Sequence, residues 1–411
     1  MEKELTCVMN IAEEMIISGA EVHRVEESVV RMCTALGAIK TDVFIITSNI
    51  IATIRLENGE SFTQTRRITT STTSVEKIHA LNSLSRNICA KKTIDDNALN
   101  ELERIKKITM YPFWIEVIAY AVIAWAFTLF FGGTLIESLV SLFIGAVVRF
   151  GIFFTDKVIN NRIFSKFLSS VIASFLALVA VRLEIVEGVD KIIIGNIMTL
   201  IPGIGLTNAF RDLFIGDSIA GILRTVEAVL TAIAIAAGYF IAVLIDRSGS
   251  HLVIRSVEPN ELVQIITGFI GSVGFAFLFN IRGLRFVIAG LGGLISWSLF
   301  LLLTLFIPSE SVCYFIVALS IAIYAEIMAR VIKTPTTTFI MTSLIPLIPG
   351  GSLYYTMSHL IGGNVNNFLE TGTVTLSLSI ALALGIIIAT ALTKIVLTLI
   401  NKVKTNKINS R

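Results

Sequence analysis

The sequence predicts an α-helical polytopic membrane protein with a small α+β domain in its N-terminal part. Of 411 residues, 54% are apolar and only 15% are charged, whereas an average globular domain has about 25% charged residues. Residues 1–111 hold 29 of the charged side chains, and the much longer stretch 112–411 holds 34. The first density is typical of a soluble domain, and the second is typical of a chain that lies in lipid. The net charge of +3 does not indicate nucleic acid as a partner.

The first segment has the periodicity of a mixed α and β fold. Apolar residues at helical spacing predict two amphipathic helices, and Ser18-Gly-Ala-Glu21 between them matches a capping box in which Ser18 would cap the second helix. Asn58-Gly59 predicts a hairpin turn between strands. The predicted elements, in order, are helices over 5–17 and 22–36, strands over 42–47, 50–56 and 61–69, and helices over 74–90 and 95–109.

The same segment offers little catalytic chemistry. His23 and Glu27 are four residues apart on one helix face, which is compatible with a solvated face or with a metal or acid–base site. The sequence has no HExxH, no GxSxG, no P-loop and no Rossmann glycine pattern. We therefore expect no enzyme, no cofactor and no metal centre. Three of the four cysteines lie in this segment without CxxC spacing, and the N-terminus does not resemble a signal peptide, which indicates a cytosolic location.

Ten apolar stretches follow, each close to the roughly 20 residues that a helix needs to cross the hydrocarbon. If the N-terminal domain is inside, the inner loops and tail hold most of the loop Lys and Arg residues, which is the expected cytoplasmic bias. We therefore predict ten spans in the plasma membrane and both termini in the cytoplasm. The stretches lie near 112–131, 133–153, 163–181, 191–210, 218–245, 261–280, 284–306, 311–330, 336–358 and 373–400.

Two of these stretches carry matching Pro-Gly interruptions. Pro202-Gly203 lies in the fourth stretch and Pro349-Gly350 in the ninth, the fourth of the second half. An odd number of spans in each half gives the halves opposite orientations, so the pattern predicts inverted five-helix repeats with broken helices. The predicted parts are the domain 1–111, a first repeat 112–247, an extracytoplasmic linker 248–260, and a second repeat with a basic tail 261–411.

The interruptions predict a binding locus. Proline removes a backbone donor, and backbone groups freed in hydrocarbon are costly unless protein, water or a ligand meets them. A plain proline kink used for packing is the alternative. The candidate substrate-binding residues around the two motifs are Asn196, Pro202, Gly203, Thr207, Asn208, Arg211, Asp212, Pro349, Gly350, Gly351, Ser352 and Tyr354.

Charged residues inside the apolar stretches form a second group of candidate functional residues. A charge at the bilayer centre costs about 2.5–3.5 kcal/mol on insertion scales, so such residues usually pair or serve a function. Arg224 and Glu227, and likewise Glu326 and Arg330, have the spacing to pair on their own helices. Proton relay, substrate anchoring and structural pairing all remain open. The coupling or pairing candidates are Glu227, Glu326, Arg149, Arg224 and Arg330, with Glu116, Glu137 and the loop residue His359 as weaker ones.

Several motifs together resemble the threonine/serine exporter (ThrE) family. They are Ser18-Gly-Ala-Glu-Val-His-Arg-Val-Glu26, Ile201-Pro-Gly-Ile-Gly-Leu-Thr-Asn-Ala-Phe-Arg-Asp212, Phe275-Ala-Phe-Leu-Phe-Asn280, Ala289-Gly-Leu-Gly-Gly-Leu-Ile-Ser-Trp297 and Ile345-Pro-Leu-Ile-Pro-Gly-Gly351. The resemblance runs from about residue 8 to 395. It implies a cytoplasmic N-terminal domain, about ten spans, and export of L-threonine and L-serine driven by the proton motive force.

The resemblance leaves alternatives open. Relatives that split the two halves into separate subunits are associated with export of succinate, so a dicarboxylate is the second candidate substrate. A membrane-anchored hydrolase or sensor is the third reading. The expected partners are a small-molecule substrate (an amino acid or a dicarboxylate), protons and the lipid bilayer, without nucleic acid, and a homo-oligomer is possible.

Overall fold

The computed structural model describes residues 1–409 except 71, 160, 202, 247–258 and 333. Pro202 and most of the predicted linker therefore lie outside the described residues, as does Arg411. The chain divides into two compact units. Unit 1 comprises residues 1–111, 212–224 and 278–282, and unit 2 comprises the remaining segments.

Unit 1 contains a three-stranded antiparallel sheet of order β1-β2-β3, covered by helices. Its core is formed by fully buried apolar residues such as Val25 and Val29 of a helix and Ile50 and Ile54 of the central strand. Gly59 adopts φ +86° in the hairpin turn, as the Asn-Gly pair predicts. The elements of residues 1–111 are α1 (Glu2–Ile17), α2 (Val22–Ala35), β1 (Lys40–Ile46), β2 (Asn49–Arg55), β3 (Ser61–Arg67), α3 (Val75–Lys91) and α4 (Asp96–Lys106).

The predicted capping box at Ser18 is wrong. Ser18 is the C-terminal cap of α1, and its N–H still donates to the Glu14 carbonyl at 3.0 Å. Gly19 follows with φ +89° and turns the chain before α2 begins. Glu21 is the N-cap of α2, and its carboxylate accepts a hydrogen bond from the Arg24 side chain (Nε) at 3.1 Å instead of from a backbone N–H of the first turn. The helix boundaries match the prediction, but the capping contact does not.

Eight helices among the described residues are long and apolar enough to cross a membrane. Many of their large apolar side chains are exposed, as expected for faces that meet lipid. The ten-span count stays a prediction. The eight helices are α5 (Phe113–Phe130), α6 (Leu135–Val158), α7 (Arg162–Arg182), α10 (Ser218–Asp246), α11 (Glu261–Leu278), α12 (Leu284–Thr304), α13 (Glu310–Ile332) and α16 (Val365–Asn409).

The fourth and ninth apolar stretches form short helices instead of continuous ones. Between α7 and α10 lie α8 (Asp190–Ile197) and α9 (Gly203–Ile215). Between α13 and α16 lie α14 (Thr337–Ser343), a 3-10 turn (Ile345–Leu347) and α15 (Gly350–Ile361). Each half of the apolar region therefore has one interrupted segment at the same place in its order of helices. Pro349 directly precedes α15, where its missing N–H costs no helical hydrogen bond.

Two helix connections belong to unit 1 together with the N-terminal segment. These are the α9–α10 connection in residues 212–224 and the α11–α12 connection in residues 278–282. The Val75 N–H donates to the Phe279 carbonyl at 2.9 Å, and Asn280 Nδ2 donates to Ser74 Oγ at 3.0 Å. Arg282 Nη2 donates to the Thr109 carbonyl at 2.8 Å. Backbone and side-chain hydrogen bonds thus hold the second connection against the start of α3 and the end of α4.

Candidate functional site

The two interrupted segments meet within unit 2. A Cβ added to Gly350, the first residue of α15, would overlap Met198 Sδ and would lie 3.1 Å from Ile201 Cδ1. Met198 and Ile201 belong to the break between α8 and α9. A side chain at position 350 would have to displace the flexible ends of Met198 and Ile201, and glycine lets the break of one half lie directly against the break of the other.

A mostly apolar cavity lies where these segments meet. Its volume is about 20 Å3, enough for about one water molecule. The rings of Tyr239 on α10 and Tyr354 on α15 contact each other with centroids 5.8 Å apart, and these two tyrosines are the lining residues whose side chains carry a hydroxyl group. The lining consists of Ile197, Ile201, Ala232, Ile235, Ala236, Tyr239, Leu353, Tyr354 and Met357. Tyr354 was a sequence candidate for substrate binding, whereas Tyr239 was not.

A lysine reaches the break from a neighbouring helix. Lys166 Nζ, on the second turn of α7, donates to the Leu200 carbonyl at 2.8 Å. Leu200 lies between α8 and α9, where carbonyl groups have lost their helical donors. The ammonium group therefore binds a backbone carbonyl at the break, next to the cavity residue Ile201. The sequence reasoning missed Lys166 because a lysine in the first turns of a span is typical of a snorkelling side chain.

Asn196 belongs to a buried polar network on the other side of α8. Its Nδ2 donates to Ser141 Oγ at 2.8 Å and to the Ile192 carbonyl at 2.9 Å, and Thr128 Oγ1 lies 2.7 Å from Ser141 Oγ. The network links α5, α6 and α8. Within the described residues, Asn196 Oδ1 has no hydrogen-bond partner. The structure therefore places this candidate in a helix-packing network, next to but not among the residues that line the cavity.

The remaining substrate-site candidates fall into three groups. Ser352 Oγ donates to the Pro349 carbonyl at 3.0 Å within the first turn of α15, and Gly351 lies against the Phe131 ring. In α9, which begins at Gly203, Thr207 and Arg211 are buried and Asn208 is half-buried. In unit 1, buried Asp212 forms an ion pair with Arg224 Nε at 3.2 Å.

The intramembrane charges are mostly paired. Arg149 Nε donates to Glu116 Oε2 at 2.9 Å, and the guanidinium lies 5.0 Å from the Phe113 ring centre. Glu137 caps its own helix, because the Thr134 N–H donates to Glu137 Oε2 at 2.6 Å. Both groups have partners within the apolar helices, and their role stays a prediction.

The two glutamate candidates for coupling differ in their surroundings. Glu326 on α13 accepts hydrogen bonds from Arg330 Nη2 and from Thr336 Oγ1, both at 3.1 Å. Thr336 is the residue before α14, so Glu326 connects a spanning helix to the interrupted segment. Glu227 instead lies on an exposed face of α10, and its expected partner Arg224 pairs with Asp212. Of the two glutamates, Glu326 is therefore the one that is hydrogen-bonded to the interrupted segment.

The N-terminal segment offers no activated thiol among its described residues. Burial raises the pKa of the Cys33 thiol to about 12, and Cys89 nearby contributes to the shift. Burial also raises the pKa of Cys7 and of Cys89. A cysteine nucleophile needs a lowered pKa, so these thiols are protonated and unreactive near neutral pH.

Apolar helices, two interrupted segments that meet at a cavity, and buried charge pairs define a polytopic membrane transporter. The threonine/serine exporter family ThrE matches residues 6–245, and a second model described as "Threonine/Serine exporter, ThrE" matches residues 264–392. The chain therefore belongs to the threonine/serine exporter family, and it is a transporter and not an enzyme.

One relative extends this similarity over nearly the whole chain. The chain is 22% identical to a threonine/serine exporter of Corynebacterium glutamicum, over 93% of this chain and 81% of the relative. No solved structure matches the chain. The geometry of the breaks and of the cavity therefore comes from this chain's own structure.

Proposed function

We propose that the protein is a secondary active exporter of small hydroxyl-bearing amino acids, L-threonine and L-serine, driven by the proton motive force. It acts in the plasma membrane with both termini in the cytoplasm. The observation that carries the proposal is the cavity of unit 2, which is lined by the break of one half, by α10, and by α15 of the other half. Inverted repeats that rock around such a site give alternating access.

The groups around the cavity fit an amino acid. The carboxylate binds at the Lys166 ammonium group and at the N-terminal end of a short helix, where free N–H groups and the dipole favour an anion. The ammonium group of the substrate meets backbone carbonyl groups at the break between α8 and α9. The hydroxyls of Tyr239 and Tyr354 provide hydrogen bonds for the substrate hydroxyl.

The pairing of the arginines supports an amino acid over a dicarboxylate. A second carboxylate needs a second cation, and Arg149 and Arg224 are two of the arginines among the candidate residues. Arg149 is bound by Glu116, and Arg224 is bound by Asp212. Since both guanidinium groups already have a carboxylate partner, we assign the substrate carboxylate to Lys166, whose ammonium group binds a backbone carbonyl.

Counterflow in proteoliposomes tests the proposal. We expect labelled threonine to accumulate in vesicles preloaded with threonine or serine, with no effect of succinate, and to be driven by an imposed pH gradient. Ala236→Phe fills the cavity and should abolish uptake, whereas Ala391→Phe, a matched change on an exposed face of α16, should retain it. Uptake driven by succinate instead of the amino acids, or full activity of Ala236→Phe, would contradict the proposal.

A further inference from the structure

Three potential metal ligands come together in unit 1. His23 and Glu26 lie on α2, and Asp217 lies in the connection between α9 and α10, which belongs to the same unit. One ligand atom from each residue lies within 4.8 Å of the other two. The sequence indicated only His23 with Glu27, because Asp217 is almost two hundred residues away along the chain.

The two carboxylates of this cluster belong to Glu26 and Asp217. Glu26 and Asp217 are half-buried, and within the described residues neither forms an ion pair with a lysine or an arginine. Asp217 Oδ2 is shielded from solvent and has no hydrogen-bond partner there. By contrast, the other two acids of α2 have partners, since Glu21 pairs with Arg24 and Glu27 with Arg31. Two neighbouring carboxylates with no counter-charge repel each other unless a cation or a proton lies between them.

The hydrogen bonding of Glu26 also leaves one of its carboxylate oxygens available to a metal ion. Glu26 Oε1 accepts a hydrogen bond from the Ile45 N–H at 3.1 Å, which holds the side chain in place and leaves Oε2 for a ligand. Such a hydrogen bond to a carboxylate is a typical outer-sphere contact of metal sites. Tetrahedral zinc, with bonds of about 2.0–2.1 Å, needs ligand atoms about 3.3 Å apart, so small rotations of the side chains are enough.

We propose that His23, Glu26 and Asp217 bind one divalent transition-metal cation. One imidazole nitrogen and two carboxylate oxygens are a donor set suited to zinc or manganese, with the remaining positions open to water. The imidazole favours these metals over calcium and magnesium, which prefer oxygen ligands alone.

The bound cation would join helix α2 to the turn that follows α9. Asp217 is five residues after Asp212, and its N–H donates to the Asp212 carbonyl at 2.9 Å. The cation therefore fixes the turn at the end of the Pro-Gly segment of the first half. None of the three cluster residues lines the cavity, so metal content and transport are separate measurements on the same protein.

Metal content of the full-length protein in detergent tests the proposal. After incubation with Zn2+ or Mn2+ and gel filtration, elemental analysis should give about one metal ion per chain. His23→Gln and Asp217→Asn should each lower the content at least fivefold, and asparagine keeps the ability to cap α10. Glu27→Gln, on the same helix but outside the cluster, should retain about one ion.

Thermal unfolding provides the second readout. A ligand that binds only the folded state raises Tm, so Zn2+ should raise the Tm of the wild type by several degrees and leave that of Asp217→Asn unchanged. Glu26→Gln serves as the third variant if Asp217→Asn does not fold. Substoichiometric metal in the wild type, or the same metal content in all variants, would overturn the proposal. A rise in Tm of metal-free Asp217→Asn without metal uptake by the wild type would show that a shared proton occupies the site instead.

Discussion

At the scale of single residues, transport kinetics can measure the role of Lys166, the lysine that binds the break of the first half. Lys166 donates to the Leu200 carbonyl, and a charge-assisted hydrogen bond to a substrate contributes about 1.5–3 kcal/mol. Lys166→Met should therefore raise the KM for threonine roughly tenfold or more in counterflow, while Lys166→Arg should retain most of the affinity. Lys157→Met, an exposed lysine at the end of α6, is the matched control. If Lys166→Met lowers Tm but leaves KM unchanged, the lysine only caps the backbone.

The sequence predicts which residues are charged in the membrane but not which of them pair. The spacing of Arg224 and Glu227 favours a pair on one helix, yet Arg224 pairs with Asp212. The reason lies in the backbone, because Gly216 adopts φ +103° and turns the chain so that the end of α9 returns to the start of α10. Glu326 and Arg330 do form the pair that their spacing predicts. Spacing along one helix thus predicts a pair correctly only where no turn brings a competing acid, such as Asp212, to the same base.

At the scale of elements, close approach of α8 to α5 depends on Gly195. A Cβ there would overlap Thr128 Oγ1 and would lie 2.7 Å from the Ala124 carbonyl oxygen, which is backbone and cannot rotate away. Overpacking of this kind costs about 1–3 kcal/mol. Gly195→Ala should therefore lower the Tm of the detergent-solubilised protein by several degrees. Gly372→Ala in α16, where the nearest atom is 3.5 Å from the added Cβ, should leave Tm unchanged. Equal Tm values for both variants would show that the helices can separate without cost.

The sequence predicts the local elements of the fold better than the contacts between distant elements. The amphipathic helices and the hairpin of the N-terminal segment follow from periodicity and from Asn58-Gly59, and the structure contains them. The interruption near Pro349 was also predicted, because proline and glycine stop a helix for local reasons. The contact of Gly350 with Met198 was not predictable, since no local rule connects residues of two different halves. The capping box failed because Gly19 turns the chain at the position where the cap was expected.

At the scale of the whole molecule, proton coupling requires one acid that responds to the movement of an interrupted segment. We propose Glu326 as this acid, because its carboxylate accepts hydrogen bonds from Arg330 on its own helix and from Thr336 before α14. Protonation would weaken both charge-assisted bonds and so release the start of the segment that leads to Pro349 and the cavity. The exposed Glu227 on α10 lacks such a link and is the matched control.

Glu326→Gln should therefore uncouple transport from the pH gradient. Glutamine keeps the hydrogen bond from Thr336 but cannot exchange a proton, so threonine counterflow should persist while acceleration by an imposed pH gradient is lost. Glu227→Gln should keep both. The measurement is the ratio of threonine flux with and without the gradient in the same proteoliposomes. A gradient response that survives in Glu326→Gln and in the double variant would exclude both glutamates, and the coupling group would then have to be sought among the remaining buried polar groups around the two breaks.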